Sequence, residues 1–173
     1  ETDQVAPQNI YGVSKVAGEQ LLRQSLKRYF LIRTSGLYGV MGSNVKGGNF
    51  VDKRISQARR GETIRMVDDQ ILSPTYTKNL AENLAVLLKT NKFGMYHMVS
   101  HGYCSWYEFT KEILRLTGLA TKVIPIKTVI NSIGVVRPNF SALSTAKLRG
   151  LKIDLMNHWR KNLQLYLQEK GYL

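Results

Sequence analysis

The chain has 173 residues, 43% of them hydrophobic, which is enough to bury a substantial core. No apolar run reaches the roughly 18 residues that a membrane-spanning helix needs, and no signal peptide is visible at the start. The single cysteine, Cys104, excludes an internal disulfide and fits a reducing compartment. We therefore expect a cytoplasmic globular protein without a membrane partner.

The net charge is +13, from 25 Lys and Arg residues against 12 Asp and Glu residues. A surface this basic could bind nucleic acid, or it could attract small anionic nucleotides. The basic residues are scattered along the chain, and no nucleic-acid-binding motif is recognisable. We therefore expect small anionic ligands and no nucleic acid, and a salt-dependent gel shift would reveal the alternative.

Hydrophobic periodicity predicts helices that alternate with short apolar strands. Strands are predicted over residues 29–34, 63–67, 94–99 and 123–126, and helices over about 9–28, 49–60, 78–88 and 155–169. A further helix should begin after Ser105, because Ser105 and Glu108 form the sequence pattern of a capping box. Residues 127–144 show little periodicity and are predicted to be mostly loop. This alternation indicates an α/β protein.

Tyr11 and Lys15 are four residues apart on the first predicted helix. Residues at i and i+4 lie on the same face of a helix, with Cβ atoms roughly 5–6 Å apart. A nearby cation favours the phenolate form of a tyrosine, whose ordinary pKa is about 10. Such a pair suits general acid–base chemistry on a carbonyl or alcohol. The spacing alone is weak evidence and is more typical of a packed aromatic ring beside a solvated lysine.

The neighbouring motifs give this pair its context. Tyr11-Gly-Val-Ser-Lys15, Gly18-Glu19 and the stretch from Arg33 to Gly39 resemble the extended short-chain dehydrogenase/reductases. Further motifs resemble the dTDP-4-dehydrorhamnose reductase group of that family: Asp69-Gln70 with Pro74-Thr75, Tyr96-His97, Ser105-Trp-Tyr-Glu-Phe109, and Arg137-Pro138 with Ser141. The similarity extends from about Pro7 to the last helix.

The resemblance implies the C-terminal part of a Rossmann-like NAD(P)-binding fold together with the small substrate-binding domain. Residues 1–40 would belong to the cofactor domain and residues 41–173 mainly to the substrate domain, with about 78–101 returning to the sheet. The glycines at 39, 42, 47 and 48 are not expected to join a strand to a helix as a dinucleotide-binding turn does. The family's catalytic Ser or Thr lies upstream of the tyrosine. We therefore expect a C-terminal portion of a larger reductase, without turnover by itself.

The resemblance also implies a reaction. The intact enzyme would use NADPH or NADH to reduce dTDP-4-dehydrorhamnose to dTDP-L-rhamnose, for cell-surface polysaccharide synthesis. Tyr11 would supply the proton, and Lys15 would lower the tyrosine's pKa and hold the cofactor ribose. Ser35 and Gly36 would lie near the nicotinamide and the sugar. Many relatives carry tryptophan where this chain has Gly36. The glycine lacks the flat ring against which the sugar could pack.

The predicted substrate-binding residues are Asn49, Gln70 and Arg137. An amide can donate to a phosphate or a sugar hydroxyl, and an arginine can bind a diphosphate through its fork of N–H groups. No Cys/His cluster has the spacing of a zinc site. No metal ligand is predicted, Mg²⁺ is not indicated, and a homodimer is compatible with the resemblance.

Two other functions remain open at this stage. One is a different nucleotide-sugar enzyme, an epimerase or a dehydratase. The other is a non-catalytic binding subunit similar to the beta subunit of methionine adenosyltransferase. Measuring turnover distinguishes the binding subunit from the enzymes.

Overall fold

Helices and strands alternate along residues 1–41, 48–129 and 136–173, which are the residues that the structure, a computed structural model, describes. The helices are α1 (Ile10–Ser25), α2 (Phe50–Arg59), α3 (Thr77–Leu88), α4 (Trp106–Thr117), α5 (Ala146–Gly150) and α6 (Trp159–Glu169). The strands are β1 (Phe30–Arg33), β2 (Leu37–Tyr38), β3 (Ile64–Val67), β4 (Ile71–Leu72), β5 (Thr75–Tyr76), β6 (Gly94–His97), β7 (Cys104–Ser105) and β8 (Val123–Ile126). The predicted α/β class is confirmed.

Among the described residues, three of the four strand pairs are parallel. β1 pairs with β6, β2 with β5 and β3 with β8, whereas β4 and β7 are antiparallel. In the first pair, Phe30 lies opposite Gly94 and Arg33 opposite His97. The carboxyl ends of β1 and β6 therefore lie at one edge, the side where parallel sheets place their ligands. The division into two domains at residue 40 stays a prediction.

Capping residues and apolar spacing in the sequence predict the positions of most of the longer helices and strands. Ser105 and Glu108 form the expected capping box at the start of α4, with each side chain accepting from the other residue's backbone N–H. The last helix was predicted to begin at about residue 155, which is wrong: it begins at Trp159, where His158 accepts from the Arg160 N–H at 3.3 Å. The two-residue strands β2, β4, β5 and β7 were not predicted, because two residues show no periodicity.

An aromatic core lies between α2, α4 and α6. Phe109, Trp159 and Tyr166 are each at most 1% exposed, and the rings of Phe109 and Trp159 meet edge to face with centroids 5.8 Å apart. Five residues of α6 are buried. The prediction that Phe109 is a core anchor is confirmed, and Trp106 packs against the same cluster while partly buried.

A network of buried amides joins α3, the chain before α6, and α6 itself. Asn162 donates to Asn79 Oδ1 at 3.1 Å and to Ser100 Oγ at 2.9 Å, and it accepts from the Asn157 amide at 3.2 Å. Asn79 and Asn162 are 4% and 0% exposed. Because buried amides are costly unless they are hydrogen-bonded, this network specifies how the two helices meet.

The first helix is packed quite differently. No residue of α1 is buried, and Ile10, Val13 and Leu21 are 87%, 53% and 64% exposed. The apolar stripe that predicts this helix therefore faces outward instead of covering a core.

The glycines after β1 have the spacing of a dinucleotide-binding turn but not its structure. Gly36, Gly39 and Gly42 do have the G-x-x-G-x-x-G spacing, and they follow a strand. After Gly36, however, the chain enters strand β2 rather than a helix, so this stretch is not the strand–turn–helix that holds a dinucleotide pyrophosphate. Gly42 and Gly47 lie outside the described residues.

Candidate functional site

Tyr11 and Lys15 lie together on the first turns of α1. Asn9 caps this helix by accepting from the Gly12 N–H at 2.8 Å, and that cap sets where the helix begins. The Lys15 ammonium lies 5.2 Å from the centre of the Tyr11 ring. Tyr11 is 69% exposed and Lys15 is exposed as well. Both side chains are therefore accessible to a ligand that binds against this helix.

Residues 136–141, here called the 136–141 segment, begin beside the cap of α1. The Asn9 side-chain amide donates to the Val136 carbonyl at 2.7 Å. Arg137 is the next residue along the chain and is exposed. The hydrogen bond between Asn9 and Val136 thus holds the backbone next to Arg137 beside the start of the helix that carries the predicted catalytic pair.

The other end of the 136–141 segment is tied to β4 and to the loop after β1. The Ile71 N–H donates to the Asn139 carbonyl, and the Ser141 N–H donates to the Ile71 carbonyl, both at 2.8 Å. Ser141 Oγ is also 3.4 Å from Ser35 Oγ. The segment therefore connects the start of α1 with Ser35, two of the predicted cofactor-side positions.

Gly36 sits in a tight turn against the chain before β5. Its φ of +58° lies in the left-handed region, and an added Cβ would be 2.7 Å from Leu72 Cδ1 and 3.1 Å from the Ser73 carbonyl oxygen. The Gly36 carbonyl accepts from the Thr75 N–H at 3.0 Å. In this backbone the position requires glycine, and a role in cofactor binding stays a prediction.

Gln70 is buried beside the chain that follows β8. It is 8% exposed, and its amide donates to Thr128 Oγ1 at 3.0 Å. The neighbouring Asp69 accepts from both the N–H and the hydroxyl of Thr128, and these bonds hold its pKa below the usual range. Sugar binding by Gln70 stays a prediction, because the structure shows the amide engaged in a structural bond.

Asn49 is the cap of α2. Its carbonyl oxygen accepts from the Asp52 N–H at 3.1 Å, and its amide nitrogen donates to the Gly39 carbonyl at 2.9 Å and to the Tyr166 hydroxyl at 2.8 Å. Both amide hydrogens are thus in use. Sequence reasoning missed this role, although Asn before an amphipathic helix is a known capping signal. Nucleotide-sugar binding by Asn49 stays a prediction.

A cavity of about 410 Å³ opens on the other side of the 136–141 segment. It is lined by hydroxyl, charged and aromatic groups, among them Ser73, His101, Phe140 and Arg149. None of the predicted site residues lines it. The predicted site is therefore an open surface centred on α1 and the 136–141 segment, rather than this cavity.

An ion pair between Glu19 and Arg33 is the main feature that site prediction missed. The guanidinium donates from Nε and Nη2 to the two carboxylate oxygens at 2.8 and 2.6 Å. These bonds hold the pKa of Glu19 below that of an ordinary glutamate. Glu19 is four residues after Lys15, so helical spacing already places it below the predicted pair.

His97 is buried at the carboxyl end of β6, with 7% of its surface exposed. Neither ring nitrogen has a hydrogen-bond partner among the residues that the structure describes. Burial lowers its pKa, so the ring is neutral near pH 7. His101 instead lies 3.0 Å from Asp154, so the two histidines do not converge on one ligand.

Within residues 1–41, 48–129 and 136–173, no group of three His, Cys, Asp or Glu side chains is placed to hold a metal ion. No helix in those ranges is both long and apolar enough to cross a membrane.

Several known proteins are similar to this chain. Spore coat polysaccharide biosynthesis protein SpsK from Bacillus subtilis is 41% identical over 99% of the chain and 58% of its own length. A dTDP-4-dehydrorhamnose reductase from Streptomyces griseus is 32% identical over 94% of the chain and 54% of its own length. The chain thus spans somewhat more than half the length of the curated relatives it matches.

A solved structure gives the same relationship. The dTDP-4-dehydrorhamnose reductase of Bacillus anthracis, in complex with NADP, superposes with a TM-score of 0.90 at 37% identity, covering 98% of this chain and 58% of that one. The family model described as the RmlD substrate binding domain matches residues 1–171. The chain therefore belongs to the RmlD substrate binding domain family, and the resemblance to dTDP-4-dehydrorhamnose reductases is confirmed.

Proposed function

We propose that this chain forms the proton-donating and substrate-binding part of an NAD(P)H-dependent reductase that converts dTDP-4-dehydrorhamnose to dTDP-L-rhamnose in the cytoplasm. The observation that carries the proposal is the exposed Tyr11–Lys15 pair on α1, in a chain of the RmlD substrate binding domain family. The reductases among its relatives carry this activity in their names.

The proposed chemistry assigns Tyr11 the proton transfer. As the substrate carbonyl becomes an alkoxide, the Tyr11 hydroxyl donates a proton to that oxygen. Lys15, 5.2 Å from the ring centre, stabilises the negative charge left on the tyrosine oxygen. Both side chains are exposed to a ligand without any rearrangement of α1.

NADPH or NADH would supply the hydride. The residues present fit the nicotinamide-ribose end of such a cofactor: Lys15 and Tyr11 are exposed side by side, and Ser35 follows β1 at the ligand edge of the sheet. Lys15 can donate to ribose hydroxyls, which fixes the orientation of the cofactor relative to Tyr11. The Bacillus anthracis relative contains NADP.

Arg137 is our principal candidate for the diphosphate of the substrate. It is exposed, while hydrogen bonds to the backbone before and after it hold the segment that carries it: the Val136 carbonyl accepts from the Asn9 amide, and the Asn139 carbonyl accepts from the Ile71 N–H. A guanidinium on a fixed backbone can bind phosphate oxygens with little loss of entropy. Gln70 and Asn49 would contribute only if their present hydrogen bonds are exchanged for bonds to the ligand.

The decisive test is Tyr11→Phe in a reductase of the relatives' full length that carries this segment. The ring is kept and the proton donor is lost, so kcat should fall about 10²–10⁴-fold, with little change in cofactor affinity. Tyr107→Phe is the matched control, because Tyr107 lies on α4 outside the proposed site, with the Lys111 ammonium four residues on and 5.4 Å from its ring centre. A Tyr11→Phe enzyme with normal kcat would exclude Tyr11 as the proton donor, whereas a full-length protein without turnover even before substitution would favour a binding subunit.

A second test uses the 173-residue chain itself. A dinucleotide pyrophosphate is held mainly by backbone N–H groups of a Gly-rich turn that opens a helix, and Gly36 instead leads into β2. We therefore expect isothermal titration to detect no tight NADPH binding and at most weak dTDP binding. Micromolar NADPH binding would show that the cofactor site has been placed wrongly.

A further inference from the structure

The helix that carries Tyr11 and Lys15 has little packing to hold it. None of its sixteen residues is buried, and Val16 and Leu22 are only half-buried. A fully buried apolar side chain typically contributes about 1.5–3 kcal/mol, and α1 has no such contribution among the described residues. Partly buried side chains contribute less than this, so polar contacts matter more for the position of this helix.

The ion pair between Glu19 and Arg33 connects the middle of α1 to the sheet. The two hydrogen bonds run in parallel at 2.8 and 2.6 Å, and the carboxylate and guanidinium side chains are only 17% and 20% exposed. A two-pronged, half-buried pair of this kind is both stronger and more directional than a surface ion pair. Arg33 is the last residue of β1, two positions before Ser35.

The position of Glu19 also determines where the proposed catalytic pair lies, because all three residues belong to one helix. Tyr11, Lys15 and Glu19 follow one another at four-residue intervals, so they form a row along one side of α1. Rotation of the helix about its axis would move all three together. Holding Glu19 therefore fixes the direction in which Tyr11 and Lys15 point.

The other contacts of α1 lie away from this row or are weak. The Asn9 amide reaches the Val136 carbonyl at 2.7 Å at the very start of the helix. Arg23 is 3.5 Å from the sulfur of Met95, which is a poor acceptor. Of these contacts, only the ion pair fixes the rotation of the middle of the helix.

We propose that Glu19 and Arg33 are positioning residues, whose ion pair sets the orientation of the Tyr11–Lys15 helix against the sheet. The catalytic meaning of this orientation rests on the proposed reductase function. The mechanical claim, that the ion pair holds α1 in place, does not.

The charges around the pair define its pH dependence. Arg33, Arg23 and His97 act on Glu19, and Glu1 acts on Arg33 and, with the N-terminal ammonium, on His97. The pKa of Glu19 is lowered, so the ion pair's stabilisation is present above the ordinary glutamate pKa of about 4.3. It is lost as the pH falls through the lower pKa of the folded protein.

The test is amide hydrogen exchange of the 173-residue chain, measured helix by helix. In Glu19→Gln, exchange in α1 should become about tenfold faster, while exchange in α4 and α6 stays unchanged. The charge-exchanged double variant Glu19→Arg with Arg33→Glu should recover part of the protection. Glu112→Gln is the matched control, because Glu112 makes a similar two-pronged pair with Arg115 inside α4, at 2.9 Å for both bonds.

A titration provides a readout that general destabilisation would not reproduce. Wild-type protection of α1 should fall as the pH drops below about 4, and Glu19→Gln should lack that step. Unchanged α1 exchange in Glu19→Gln, or equal acceleration in all helices, would overturn the proposal. If the full-length protein showed no reductase turnover, the proposed function would fail while this exchange result would still stand.

Discussion

The molecule holds its first and last helices in opposite ways. α6 buries five residues, four of them in the aromatic core, whereas α1 buries none and makes several polar contacts. The helix with the proposed catalytic pair therefore belongs to the less stable end of the fold, as is common for elements that meet ligands. Mutations should consequently affect stability through α6 and function through α1.

The largest loss of stability should come from Trp159→Ala. Trp159 is 1% exposed and packs on Phe109, so the free energy of unfolding should fall by about 3–5 kcal/mol, as for other large-to-small core changes. Urea denaturation measures this loss. Trp159→Phe, which keeps most of the ring volume, should lose clearly less, and equal losses would argue against a cavity effect.

Gly36→Ala should be the next most severe. An alanine there combines a left-handed backbone, which costs about 1–2 kcal/mol, with contacts to Leu72 and Ser73 that are too close. Overpacking adds about 1–3 kcal/mol. Gly61→Ala is the control, because φ is +69° but nothing lies within 4 Å of the added Cβ. Equal destabilisation of the two variants would show that the close contacts are relieved without cost.

Asn162→Ala should lower the free energy of unfolding by less than Gly36→Ala, through the amide network that joins α3 and α6. It removes the partner of the Ser100 hydroxyl and of the Asn157 side-chain amide, and one of the two donors to Asn79 Oδ1; an unsatisfied buried group costs about 1–3 kcal/mol. Urea denaturation again measures the change. Asn91→Ala, at an exposed asparagine, is expected to be neutral. A neutral Asn162→Ala would mean that water replaces the lost bonds.

The smallest effect on stability is expected for Ile10→Ser on α1. Ile10 is 87% exposed, so the free energy of unfolding should change by no more than about 0.5 kcal/mol. Self-association should decrease, because exposed apolar side chains favour association. Sedimentation velocity measures that decrease. A large loss of stability would show that α1 is packed in solution and would remove the contrast with α6.

Local sequence patterns were sufficient for much of the fold. Apolar spacing and capping residues predict the strand that ends before Thr34, the helices that contain Phe109 and Trp159, and the cap at Ser105. The Tyr11–Lys15 pairing also follows from sequence, since i and i+4 must share a helix face. These features depend on neighbours within a few positions, which the sequence displays directly.

What the sequence could not decide are the contacts between distant positions. Asn49 and Gln70 have the chemistry of ligand-binding amides, but the fold uses them to hold Tyr166 and Thr128. The apolar stripe of α1 predicts burial, yet the tertiary structure leaves it exposed and holds the helix through Glu19 and Arg33.

The physical reason is that a polar side chain can satisfy its hydrogen bonds with ligand, solvent or protein alike. Composition and spacing show that such a group needs a partner, but only the folded chain determines which partner comes within 3 Å. In this protein the sequence determined the helix, the pair it carries and the family. The tertiary structure alone decided how that helix is held and which amides are already engaged.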